Sequence, residues 1–240
     1  MHLFYTPTIE PHHTEFMLSE DESKHAVRVL RLTAGDEIYL IDGVGGWYTA
    51  KILDPHPKRT TLSILHVAQA YEKPAYYLHV AIAPTKNIDR LEWFLEKATE
   101  IGIQEITPII SAHSERKEVK IERLNKVVIS AMKQSLKAYL PKINPAISLS
   151  QFFQRITTEE YTTKAVAHCA DGEKQYLADI CSQAGKYLIL IGPEGDFSET
   201  EIEQALSLGY QPVSLGNSRL RTETAALASC LEIAVLNRSF

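Results

Sequence analysis

Tyr187-Leu-Ile-Leu-Ile191 runs directly into Gly192-Pro193-Glu194-Gly195, and shortly afterwards Pro212-Val-Ser-Leu215 runs into Gly216-Asn217-Ser218-Arg219-Leu220-Arg221. The first run is apolar throughout and too short to be a helix of its own, which predicts a buried parallel strand. In the turn that follows, proline fixes one backbone angle and removes a donor, while the two glycines leave no side chain between the main chain and a ligand. Ser198-Glu-Thr-Glu201 has the spacing of a capping box, so a helix is expected to begin there and to end at Leu208-Gly209. The second run repeats the cycle: a strand, a loop, then Thr222 as the cap of a helix with Glu223 in its first turn. Two loops at the carboxyl ends of neighbouring strands form the usual ligand crevice of an open α/β sheet.

The last predicted helix, residues 223–237, carries Ala225, Ala226, Leu227, Ala228, Cys230, Leu231, Ile233, Ala234, Val235 and Leu236, which cover nearly every face. A helix apolar all round is buried on most sides. Near a chain end this implies packing against a second subunit, hence a homodimer, or enclosure by other loops; an ordinary core helix is the alternative.

The chain has 240 residues, 45% hydrophobic, enough for one large domain or two small ones with a substantial core. No leader-like segment opens it and no apolar run approaches membrane-spanning length, so a soluble protein of the cytoplasm is expected. Cys169, Cys181 and Cys230 are odd in number and lack metal-ligand spacing, and the nine histidines form no H-x-x-x-H pair, so no metal is expected. The net charge of −5 argues against a nucleic-acid partner, but the charge is unevenly spread. Residues 116–142 hold eight Lys or Arg against Glu118 and Glu122, the electrostatic footprint of a phosphate-backbone contact.

Residues 1–71 predict a small β-rich domain: residues 36–42 and 47–53 form two strands around the turn Gly43-Val-Gly-Gly46, and residues 59–68 supply another. Before them, His25-Ala-Val-Arg-Val-Leu-Arg31 predicts a short helix with Arg28 and Arg31 on one face, which by itself reads as a solvated basic surface as readily as a contact. Tyr71-Glu-Lys-Pro74 is the expected linker. In residues 75–240 strands (76–83, 106–110, 164–170) alternate with helices (87–102, 121–139, 174–183), which predicts a mostly parallel sheet with helices on both faces.

The pairing of Gly192-Pro-Glu-Gly195 with Leu215-Gly-Asn-Ser-Arg-Leu-Arg-Thr-Glu-Thr224 resembles the ribosomal RNA small subunit methyltransferase E family, within the SPOUT (knotted) methyltransferases. HAVRVLR at 25–31, residues 86–90 with 96–102, Ser114-Glu115-Arg116, and Gln134-Ser135 with Pro141 resemble further signatures of that family. The resemblance implies a trefoil-knotted α/β domain at residues 75–240 behind a PUA-like RNA-binding barrel at residues 1–71. It implies S-adenosylmethionine as cofactor, held by Ile191, Gly192, Pro193, Glu194, Gly195, Leu215, Gly216, Leu220, Arg221, Thr222, Thr224 and Ala225. It implies N3 of a uridine in 16S ribosomal RNA, free or in the small ribosomal subunit, as the target. Contacts to that RNA fall to Arg28, Arg31, Ser114, Arg116, Lys133, Gln134 and Lys137, the last carried over as a cation where the family commonly has arginine.

A sulfonium donor brings an activated methyl group, so the protein must supply a backbone-lined niche rather than a metal. N3 of neutral uridine carries a proton that must leave, with charge developing on the ring oxygens. Arg221 is the expected stabiliser of that charge, Glu194 a base or ribose ligand, and Glu223 a group orienting the arginine; a turn carboxylate and a dipole-stabilising glutamate are the structural alternatives. A dehydrogenase or NTPase is disfavoured because neither G-x-G-x-x-G nor G-K-[ST] occurs at the turn. A non-catalytic ribosomal RNA-binding or assembly factor needs only the barrel and the basic segment, and remains the second reading.

Overall fold

A computed structural model of the chain describes residues 1–156 and 159–238. They fold as two units, Met1–Lys73 with Met132–Leu140, and Pro74–Ala131 with the residues from Pro141 onward. In chain order the first unit contains β1 (Leu3–Tyr5), β2 (Glu15–Met17), α1 (Glu20–Lys24), a π-helical turn (His25–Val29), β3 (Glu37–Ile41), β4 (Trp47–Asp54) and β5 (Thr61–Ala68). After it come β6 (Tyr77–Ile82), α2 (Ile88–Ile101), β7 (Glu105–Ile110), α3 (Ile121–Gln134), β8 (Lys142–Ile143), β9 (Ile147–Ser148), α4 (Leu149–Ile156) and β10 (Thr163–Ala167). The chain continues with β11 (Gln175–Tyr176), α5 (Leu177–Ile180), β12 (Lys186–Ile191), α6 (Glu199–Ser207), β13 (Gln211–Ser214) and α7 (Thr222–Leu236).

The first unit is a curled sheet in the order β1-β3-β4-β5-β2, antiparallel except for β1 against β3. Its hairpin is set by Asp42, whose Oδ1 accepts from Val44 N and Gly46 N, both at 2.8 Å, so the carboxylate replaces missing strand partners. A β-carbon at Gly46 would stand 2.1 Å from that carboxylate, which explains the glycine. Phe4, Ile38, Leu40, Tyr48, Ile52 and Leu62 fill the interior.

Residues 132–140 complete this unit, although they lie far beyond the expected linker. Met132 and Ala138 are buried with Ile41 and Trp47, Gly45 N donates to Ala138 O (3.0 Å) and Leu140 N to Gly43 O (2.9 Å). Lys133 Nζ is 2.7 Å from Glu22 Oε1 and 5.7 Å from the Phe4 ring centre. The helix expected over 121–139 therefore stops at Gln134, and Leu136 takes a positive φ of 57° as the chain turns into this role. The expected 25–31 helix is also corrected: the π-helical turn ends at Val29 and Arg31 stands beyond it at φ 57°, so Arg28 and Arg31 do not share a regular helical face.

In the second unit the sheet order is β11-β13-β10-β12-β6-β7-β8, with every pairing parallel. Leu188 and Leu190 of β12 join Phe152, Phe153, Ile202 and Ala205 from α4 and α6 in one apolar cluster. Tyr187, Ile189 and Ile191 alternate to the opposite face. There α7 packs on β6 and β12, and Tyr187 Oη is hydrogen-bonded to Asn237 just past the helix end. Helices thus cover both faces. The helix expected over 174–183 shrinks to α5 because Gln175 and Tyr176 pair with β13 instead. Helix α4, with Leu149, Phe152, Phe153 and Ile156 at helical spacing, is an element that the strand–helix alternation did not single out.

Beneath this sheet a polar network joins β6 and β7. His79 Nδ1 meets Tyr161 Oη at 2.9 Å and its Nε2 meets Thr107 Oγ1 at 2.8 Å. Burial pushes the imidazole down to about 4, so at neutral pH it is uncharged and forms no ion pair with Glu105, 3.9 Å away. Burial works against the Glu105 carboxylate as well, but His79, once protonated in acid, and hydrogen bonds from Tyr77 Oη at 2.5 Å, Asn144 Nδ2 at 2.7 Å and Lys142 Nζ at 2.9 Å hold it down to about 2.

Two outcomes are expected. Met132→Ala should cost about 2–5 kcal/mol of stability in urea denaturation, because it empties a fully buried site in the first unit. Folded His79 binds its proton less readily than the unfolded chain does. Its contribution is therefore complete above its ordinary value of 6.5 and lost as pH falls towards 4, with Glu105 adding a further loss between 4.5 and 2. Urea midpoints should fall between pH 7 and 5, and that fall should flatten in His79→Gln.

Candidate functional site

The parallel register brings the carboxyl ends of four strands to one edge. Ile191 of β12 pairs with Ile82 of β6 and Ala167 of β10, and Ala167 pairs with Val213 of β13. Gly192, His168 and Ser214 follow directly, so the two glycine loops and the β10 loop emerge side by side.

The Gly192–Gly195 turn is braced from every side by the second unit. Glu194 Oε1 accepts from Lys86 N (3.0 Å) after β6, and Glu201 Oε1 accepts from Ala112 N (2.8 Å) after β7. Glu201 also closes the expected capping box with Ser198. His113 Nδ1 lies 3.1 Å from both Gly195 O and Asp196 O. Asp196, at φ 62°, accepts from Cys169 N (2.6 Å) and Phe197 N (2.8 Å), which ties this turn to the β10 loop and holds an otherwise unfavourable backbone angle. Thr222 Oγ1 donates to Gly192 O at 3.1 Å, joining the two glycine loops.

Several expected roles change. Arg221, not Thr222, is the N-cap residue of α7; its guanidinium has no acceptor and makes no side-chain cap, while the Thr222 hydroxyl is spent on Gly192. Glu223 does not orient Arg221: its Oε1 lies 3.9 Å from Arg90 Nε of α2. A β-carbon at Gly195 would stand 3.1 Å from His113 Cβ, tighter than ordinary contact, so protein packing itself favours glycine there. At Gly216 the demand is conformational: φ is 110°, and an added β-carbon would meet nothing within 4 Å.

The remaining expected cofactor residues gather at this edge. Ile191, Pro193 and Thr222 are buried, Leu215, Leu220 and Ala225 half-buried, and Glu194, Arg221 and Thr224 exposed. The expected RNA contacts are more scattered. Arg28, Arg31 and Gln134 are exposed. Ser114 is buried, with its Oγ accepting from Ser111 N at 3.0 Å to close a turn. Arg116 donates to Thr85 O (3.1 Å) and Lys86 O (2.7 Å), fixing the loop after β6. Lys133 is paired with Glu22, Lys142 with Glu105, and Arg123 with Glu92 and Asp89, so much of the basic segment's charge is answered within its own unit. Lys117, Lys120 and Lys126 stay exposed and Lys137 half-buried.

Two polar groups at this edge have no hydrogen-bond partner among the described residues: both ring nitrogens of His168, and Oε2 of Glu223. Burial, with Lys174 adding to it, pushes the His168 imidazole below its usual value against the pull of Asp196, so it is neutral. His168 escaped the sequence reading because a lone histidine after a strand has no pattern; only the register places it between the loops. Buried polar groups without partners are uncommon, and their position beside a turn with open space at Gly216 fits a ligand rich in hydrogen-bonding groups.

This architecture and edge are those of an RNA methyltransferase domain, whose family description matches residues 72–234, and an RNA methyltransferase PUA domain matches residues 18–65. Ribosomal RNA small subunit methyltransferase E of Rickettsia conorii is 30% identical over 224 residues, 91% of this chain and 89% of that protein. The crystal structure of a probable rRNA-methyltransferase from Porphyromonas gingivalis is similar with a TM-score of 0.91 and 42% identity, covering 99% of this chain and 98% of that one. A ribosomal RNA small subunit methyltransferase E from Neisseria gonorrhoeae, crystallised bound to S-adenosyl methionine, gives 0.87 and 29%, covering 99% and 98%. The chain belongs to the ribosomal RNA small subunit methyltransferase E family.

Thr222→Val keeps the shape but leaves the buried Gly192 carbonyl without its donor, which should cost about 1–3 kcal/mol in urea denaturation. Thr222→Ser, which can still donate, should cost clearly less.

Proposed function

We propose that this chain transfers a methyl group from S-adenosylmethionine to N3 of a uridine in 16S ribosomal RNA, free or within the small subunit. The observation that carries the reading is the Thr222–Gly192 hydrogen bond, which locks two glycine-bearing loops into one crevice at the carboxyl edge of a parallel sheet. The bound S-adenosyl methionine of the gonococcal relative supports the cofactor. Such a donor supplies an activated methyl group on a sulfonium.

Ile191, Gly192, Pro193, Leu215, Gly216 and Leu220 would line the niche, offering apolar walls and backbone groups. Arg221, exposed at the start of α7, would meet negative charge developing on the uracil oxygens, aided by the positive end of the helix. Glu194 is held by Lys86 N and serves the turn's shape, which favours a ribose contact over a proton-transfer role. The exposed Arg28 and Arg31 of the first unit and Lys137 serve phosphate contacts, and the trefoil threading implied by the family is part of the same reading. Leu231 and Val235, one turn apart on α7, are 49% and 47% exposed, an apolar strip that a second copy would cover to give a homodimer. None of the helices is long and apolar enough to cross a membrane among the described residues, and the cytoplasm, where ribosomal RNA is found, is the proposed location.

Calorimetry and nucleoside analysis test this. Gly195→Val, which forces a branched side chain against His113, should abolish S-adenosylmethionine binding. Asp196→Gly loses two hydrogen bonds but relieves a positive φ, and should weaken binding by no more than about tenfold, or 1.4 kcal/mol. Light scattering should give twice the chain mass. Ribosomal RNA incubated with protein and donor should yield 3-methyluridine on digestion; a different methylated nucleoside overturns the N3 reading.

A further inference from the structure

We propose that Glu223 is the general base that takes the N3 proton. The inference rests on the uridine-N3 reading above and goes beyond it by naming the acceptor. Uridine has to lose that proton as N3 is methylated, so the crevice needs an unprotonated group with a free lone pair beside the glycine loops.

The acids at this edge can be taken in turn. Asp196 has both oxygens committed, to Cys169 N and Phe197 N. Glu201 is likewise committed, to Ala112 N and to Ser198. Glu194 is exposed and holds Lys86 N, and Glu115 pairs with Lys86 Nζ at 2.8 Å. Glu223 differs from all four. Its side chain is only 8% exposed, yet Oε2 has no partner among the described residues. A buried carboxylate oxygen with no donor is costly to the free protein. That cost is recovered when an N–H arrives.

Placement agrees. Glu223 directly follows Thr222, whose hydroxyl holds the Gly192 carbonyl, and so stands at the helix start where the two glycine loops are joined. Arg90 Nε of α2 lies 3.9 Å from Oε1 and leaves Oε2 unoccupied. The other ionisable groups set against α7 lie further along it: Asp179 of α5 near Glu232, and Tyr76 and Tyr187 near Cys230. His168 is the rival acceptor, but burial and Lys174 both disfavour its protonated form.

The step balances. The N3–H bond breaks and its proton passes to the Glu223 carboxylate; the N3 electron pair forms the new bond to the methyl carbon. The carbon–sulfur pair stays on sulfur, which leaves as a neutral thioether, and the carboxylic acid later returns its proton to water.

Glu223→Gln keeps the size and loses the base. With S-adenosylmethionine and ribosomal RNA, kcat should fall by about 10²–10⁴ while the calorimetric Kd for S-adenosylmethionine stays unchanged. RNA carrying 5-fluorouridine, whose N3 proton is more acidic, should recover part of the lost rate in the variant and gain little in the parent protein. Glu223→Asp should retain an intermediate rate. Unchanged kcat in the Gln variant, no recovery with 5-fluorouridine, or a weakened Kd that marks Glu223 as a ligand of the donor's ammonium would each overturn the assignment. If the unsubstituted protein makes no 3-methyluridine, the parent reading fails independently of any Glu223 variant.

Discussion

Strand β12 is the constraint on which the second unit depends. It pairs in parallel with β6 on one side and β10 on the other, and every residue from Tyr187 to Ile191 is buried. A strand covered on both faces and both edges cannot slip by one residue without exchanging its two apolar faces. Fixing β12 therefore fixes where Gly192 emerges, and with it the height of every loop that must meet there.

The loops are then held by side chains that satisfy main-chain groups. Glu194, Asp196, Glu201, Arg116 and Thr222 each spend polar atoms on a backbone N–H or carbonyl of a different loop. A turn rich in glycine loses more conformational freedom than any other on ordering, so it needs such bracing to hold a shape. Glu194 and Arg116, which look catalytic or RNA-binding by type, thus also serve to hold the loops in shape.

Local rules made much of this legible from the residues. The apolar run of β12, the Ser198–Glu201 capping box and the Asn87 and Gly102 ends of α2 depend on neighbours a few positions away, and they appear where expected. What escaped depends on distant partners. Thr222 looks like a cap until Gly192 is placed beside it, Glu223 looks like an aid to Arg221 until α2 brings Arg90 near, and His168 has no signature at all. Tyr176 reads as helix until β13 offers it a strand edge. The family resemblance supplied the fold and chemistry that periodicity alone could not, but not these pairings.

The inclusion of Met132–Leu140 in the first unit has a consequence for how the protein is made. A ribosome synthesising this chain will have released all of Met1–Lys73 well before the segment carrying Met132 and Ala138 appears, so the barrel must wait with Ile41 and Trp47 incompletely covered. N-terminal domains generally fold first and as units during synthesis. Here the first domain cannot finish until more than half of the chain has emerged, and a gene fusion or exchange that treats it as a detachable front module would leave it unfinished for good.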